Sequence, residues 1–66
     1  MVKLSESQIL IEINDFKEVQ VYTIEGKLLW VSKNKSIMID DWVSGTYIVT
    51  VLSQEGKAHS NRIVVE

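Results

Sequence analysis

The sequence has no cysteine, no proline and a single histidine among its 66 residues. Without cysteine, neither a disulfide framework nor a cysteine-based zinc site can reinforce the core. Without proline, edge strands must be kept from pairing with neighbours by charge, and Lys17, Glu18, Lys33 and Lys35 are the expected guards. Addition of a partner's strand stays physically open. The 3 glycines make neither a GxGxxG nor a P-loop spacing, which excludes a phosphate cradle. Lys and Arg number 7 against 9 Asp and Glu, for a net charge of −2. With no basic stripe to neutralise phosphates, neither nucleic acid nor an anionic membrane is an expected partner. No apolar run reaches the roughly 20 residues that span a bilayer, and the segment from Met1 to Gln8 lacks the apolar run of a signal peptide. Membrane insertion is not expected, and an exported form of this chain would be mature or a fragment.

Chemistry is equally thin. Catalysis needs a positioned acid, base or nucleophile. His59 belongs to the residue type most used for acid–base work near neutrality, but it lies among polar neighbours from Lys57 to Asn61 and reads as a solvated strand position. Asp40 and Asp41 form the best carboxylate pair, yet adjacent strand residues point to opposite faces and do not readily chelate one ion together. A weak calcium site would need Asp15 or Glu12 brought beside them, and a strand end with a turn is the simpler reading. No enzyme activity, cofactor or metal is expected.

What is present is strand patterning. The chain is 45% hydrophobic and 24% charged, as in an ordinary folded domain, and its length allows one domain, residues 1 to 66. A chain this short buries only about 60% of the surface its unfolded form exposes, so the core is small. Apolar residues recur with period two at Ile9, Ile11 and Ile13, at Val19 and Val21, at Ile37 and Ile39, and at Tyr47, Val49 and Val51. Turn signals at Asn14-Asp15, Glu25-Gly26, Lys33 to Lys35, Ser44-Gly45 and Glu55-Gly56 divide the chain into strands at 8 to 13, 18 to 24, 27 to 32, 36 to 40, 46 to 53 and 57 to 65. Glu25-Gly26 predicts a tight hairpin with glycine at positive φ, and Glu-Gly-Lys returns at 55 to 57, so the same hairpin chemistry is used twice. Leu28 and Trp30 alternate with Leu29 and Val31, and Ile48 with Val49. A single half-exposed sheet does not hide such strands, so the pattern predicts two sheets packed face to face, a small antiparallel β-sandwich. Trp30, Trp42, Tyr22 and Tyr47 are core material for so small a domain, or, if at least two are exposed together, a platform for sugar or peptide.

Three blocks, VQVYTIEGKLLW, SIMIDDWVSGTYIVTV and RIVVE, occur in that order between residues 19 and 66. They resemble the successive blocks of the type A C-terminal sorting domain of the Bacteroidetes type IX secretion system. The family's motif positions fall on Val19, Val21, Tyr22, Gly26, Lys27, Ile39, Asp40, Trp42, Ser44, Gly45, Tyr47, Ile63 and Val64. Gly26 and Gly45 are expected in backbone turns, and Val19, Val21, Ile39, Trp42 and Tyr47 on the inner faces of the sandwich. Val43 stands where the family often has proline, and Glu66 where lysine is common. The resemblance implies an immunoglobulin-like antiparallel β-sandwich of six to seven strands, a non-enzymatic module that directs cargo export and surface attachment through a protein partner in the secretion machinery, with a secreted or cell-surface location. The alternative is a stand-alone small immunoglobulin-like domain of a gut Bacteroidetes that binds glycan or protein or packs structurally against a neighbour. Oligomeric state is not legible in the sequence.

Overall fold

A computed structural model describes residues 2–5 and 7–66; Met1 and Glu6 lie outside the described residues. Seven antiparallel strands follow in chain order: β1 (Val2–Leu4), β2 (Gln8–Ile11), β3 (Phe16–Thr23), β4 (Leu28–Ser32), β5 (Ser36–Met38), β6 (Gly45–Ser53) and β7 (Ala58–Val65). Six of them occupy the predicted runs to within about three residues at each end. The addition is β1, three residues too short for alternation to reveal, which exists through its pairing of Val2 with Ile11 and Leu4 with Ile9. Just past β1, the Ser5 N–H donates to the Gln8 carbonyl at 2.9 Å.

The strands form two sheets, one ordered β1-β2-β5 and the other β4-β3-β6-β7. This is an immunoglobulin-like sandwich in which the fourth strand extends the sheet opposite to the one it joins in constant-type domains. Alternate residues of both sheets meet in one core: Ile9, Ile11, Ile37 and Ile39 from the smaller sheet and its extension, and Val19, Val21, Val49, Val51, Ile63 and Val65 from the larger. Among these, Ile9, Val19, Val21 and Val49 are fully buried. The core is almost wholly β-branched aliphatic, the side-chain shape that packs well on a pleated surface.

Both Glu-Gly-Lys segments close hairpins with the same bonds. The Thr23 N–H donates to the Lys27 carbonyl at 2.8 Å, the Gly26 N–H to the Thr23 carbonyl at 2.9 Å, and the Lys27 N–H to Thr23 Oγ1 at 3.1 Å. At the second turn Ser53, Gly56 and Lys57 repeat these contacts at 2.9, 3.0 and 3.1 Å. Gly26 and Gly56 have φ of 94° and 87°, the left-handed residue that ends a three-residue hairpin connection. Gly45, expected in a turn, instead opens β6, opposite Val65.

Two packed sheets were to hide both faces of β4, yet Leu28, Leu29, Trp30 and Val31 are each between 46% and 49% exposed. Trp30 pairs with the inward-facing Val21 and therefore lies on the inner face, since directly opposed residues share a face. The covering sheet has three strands against four, and at about 4.8 Å per strand it stops short of β4. Among the described residues nothing packs over the outer face of the larger sheet, so Val31 and the half-buried Ile48 and Tyr22 meet solvent there.

The charged guards are also distributed differently. Lys33 and Lys35 sit in the short connection between β4 and β5, both of which are sheet edges. Lys17 and Glu18 belong to the interior strand β3, on the stretch that β4 does not reach, because that pairing runs only from Val19 to Tyr22.

Candidate functional site

The position of Tyr47 explains much of the second motif block, SIMIDDWVSGTYIVTV. The chain leaves β5 in the smaller sheet, turns at Ile39–Trp42, where the Trp42 N–H donates to the Ile39 carbonyl at 3.1 Å, and enters β6 in the larger sheet. Near the start of β6 the Tyr47 hydroxyl donates back to the Val43 carbonyl, four residues upstream. This is the tyrosine corner of immunoglobulin-like sandwiches. Val49, two residues on and fully buried, takes the place where disulfide-bearing versions of the fold carry a cysteine. Trp42 lies against Tyr47 with ring centroids 5.1 Å apart and planes tilted by 50°, within the range of favourable aromatic pairs. Both rings are half-buried against the core, so the segment from Asp40 to Tyr47 is pinned at the crossing between sheets.

The motif residues named from the sequence therefore separate into different places. Val21 is core. Tyr22 lies half-buried on the open outer face, its hydroxyl donating to Gln20 Oε1, while Gln20 Nε2 donates to Glu18 Oε2 at 2.8 Å. Gly26 and Lys27 form the first hairpin turn, with Lys27 exposed. Gly45 and Tyr47 secure the sheet crossing. Asp40 is exposed on the turn before it, and of these seven it alone lines the cleft described next.

That cleft, of about 510 Å³, opens on the side of the sandwich where β4 and β5 are neighbouring free edges. Its apolar surface comes from Trp30, Ile37, Met38 and Trp42, and Asp40 and Asp41 contribute carboxylates. Ser32, Asn34 and Ser36 supply the remaining polar lining, and no lining residue is basic. Neither carboxylate has a hydrogen bond or ion pair among the described residues. The two tryptophans thus share one surface, with Trp30 exposed and Trp42 half-buried. Sequence reasoning singled out the indoles but missed Met38 and Ser32. The available signal is the doubly apolar strand 28 to 31, whose inner face the two-sheet pattern places in the core and the structure leaves uncovered.

The carboxylates do not assemble further. Glu12 pairs instead with Lys3 at 3.0 Å, Asp15 lines a separate hollow beside Lys35, and no metal-binding group of three or more His, Cys, Asp or Glu exists among the described residues. His59 is exposed on β7 opposite Val51. No helix of the described residues is long and apolar enough to cross a membrane. The arrangement offers surfaces and unpaired strand edges for binding.

Comparison with known proteins agrees with the ordered blocks. Residues 5–66 match the model of a protein family described as a secretion system C-terminal sorting domain. No curated protein and no solved structure gives a significant match.

Proposed function

The chain belongs to the secretion system C-terminal sorting domain family of the type IX pathway, a tail that marks proteins for secretion or the cell surface, and on that premise we propose that it directs export and surface attachment of a cargo protein. The observation that carries the proposal is the family match over residues 5–66, supported by a two-sheet sandwich whose motif residues are mostly architectural. The domain acts by being recognised as a folded unit by a protein of the secretion machinery, and it contributes no catalysis. Tyr47, Gly45 and Trp42 build the crossing between the sheets, so motif substitutions are expected to impair recognition partly by unfolding the label.

The test is export. Residues 1–66 are fused behind a signal peptide and a fluorescent reporter in a cell with a working type IX system. The reporter should reach the surface or medium, and it should stay behind when Val49→Asp destroys the core. Retention of the unaltered fusion in the periplasm refutes the proposal.

A further inference from the structure

Strand β4 is an unusual edge. Four consecutive apolar residues, Leu28 to Val31, are about half exposed on it, and its outer side presents unpaired N–H and C=O groups. Natural edges are blunted by shortness, charge or proline, and the other three edges are. β1 and β5 have three residues each, and β7 carries His59, Ser60, Asn61 and Arg62 along its middle. β4 has no such protection within it.

A second copy of the chain is a poor occupant. The antiparallel register that pairs the whole of β4 with its own twin sets Leu28 against Ser32, which puts Lys27 against Lys33, and directly opposed like charges destabilise a strand pair. The cleft beside β4 has the complementary demand. Its two carboxylates are unpaired, none of its lining side chains is basic, and two indoles flank it. A Lys or Arg side chain satisfies all three at once, with its stem on apolar surface and its charge near indole and carboxylate. A sugar would use the indoles and carboxylates but leave the strand edge unsatisfied.

We propose that the cleft between β4 and β5 is a docking site for an extended segment of a partner protein, which adds as a strand to β4 and places a lysine or arginine side chain against Trp30, Trp42, Asp40 and Asp41. The inference deepens the sorting proposal and rests on its premise that a protein partner recognises the domain, naming the surface and the chemistry of the segment.

The experiment is a nuclear magnetic resonance titration of the 15N-labelled chain with a capped Thr-Val-Lys-Val-Thr peptide, its glutamate counterpart and maltohexaose. Saturable shifts are expected at the backbone amides of Leu28 to Ser32 and at the Trp30 and Trp42 indole N–H groups. The lysine peptide should bind roughly threefold or more tightly than the glutamate peptide, the effect of a partly exposed ion pair. The double variant Asp40→Asn, Asp41→Asn should erase that preference while keeping the β4 shifts. Equal affinity for the two peptides, shifts centred on another edge, absence of saturable change at millimolar peptide, or saturation by maltohexaose alone each overturn the proposal. Because the read-out is binding to the isolated chain and not export, failure here leaves the sorting proposal standing, and failed export leaves this result intact.

Discussion

Replacing Gly26 and Gly56 by alanine, separately and together, probes the two hairpins that organise the larger sheet. Their φ angles are +94° and +87°, and nothing lies within 4 Å of a Cβ added at either position. No clash contributes, so the cost is that of holding an L-residue in left-handed backbone, about 1–2 kcal/mol. Alanine returns part of this by restricting the unfolded chain, which leaves a net loss of about 1 kcal/mol per site. The assay is urea unfolding followed by tryptophan emission. With a slope of about 1 kcal/mol per molar for so small a domain, each variant's midpoint should fall by about 1 M. The turns lie at opposite ends of the sheet, since Thr23 pairs with Tyr47 while Phe16 pairs with Ser53. The eight residues of β3 at about 3.4 Å each put them roughly 25 Å apart. The two losses should therefore be equal and add to within about 0.5 kcal/mol in the double variant. Asparagine, which tolerates this backbone region, should cost less than alanine at both sites. A loss at one glycine without the other, or asparagine no better than alanine, would refute the claim that one hairpin design is used twice.

Val49→Ala removes two methyl groups at a fully buried site and should cost about 2 kcal/mol from transfer and cavity terms together, lowering the thermal midpoint by roughly 10 °C in a scan of a domain this size. Tyr47→Phe deletes the hydroxyl that donates to Val43; calorimetry should show a loss of about 1 kcal/mol, with the Trp42 environment preserved. Lys3→Gln breaks an ion pair whose side chains are 58% and 50% exposed, so the urea midpoint should move by no more than the equivalent of about 0.5 kcal/mol. Single-tryptophan variants separate the indoles: Trp42→Phe, which leaves Trp30, should emit further to the red and quench more readily with iodide than Trp30→Phe, which leaves the half-buried Trp42.

Local patterns carried the strand content. Period-two alternation marks Ile9 and Ile11, Val19 and Val21, and Val49 and Val51 as inward residues because strand side chains alternate strictly between faces, and all six are core. The repeated Glu-Gly-Lys is legible for a similar reason, since a hairpin's backbone geometry is set within a few residues and only glycine meets it cheaply. The ordered blocks pointed to the sorting family, and the match over residues 5–66 established it. The segment Val2–Leu4 lacked the length to announce itself, and its strand exists only because β2 offers an edge.

The division of strands between sheets was decided by tertiary structure alone. Nothing in Ser36–Met38 states that it joins β2, and nothing in Leu28–Ser32 states that it widens the opposite sheet. A strand apolar on both faces reads the same whether it is sandwiched or left at an uncovered edge, because alternation reports which residues share a face but not what lies above it. The mismatch of three strands against four leaves Trp30 half exposed, and the crossing held by Tyr47 brings Trp42, Asp40 and Asp41 to the same side. Sequence determined the strands, their inward faces and the two glycine hairpins, all of which are short-range consequences of backbone stereochemistry. The cleft came from long-range packing, through sheet widths that no local pattern encodes.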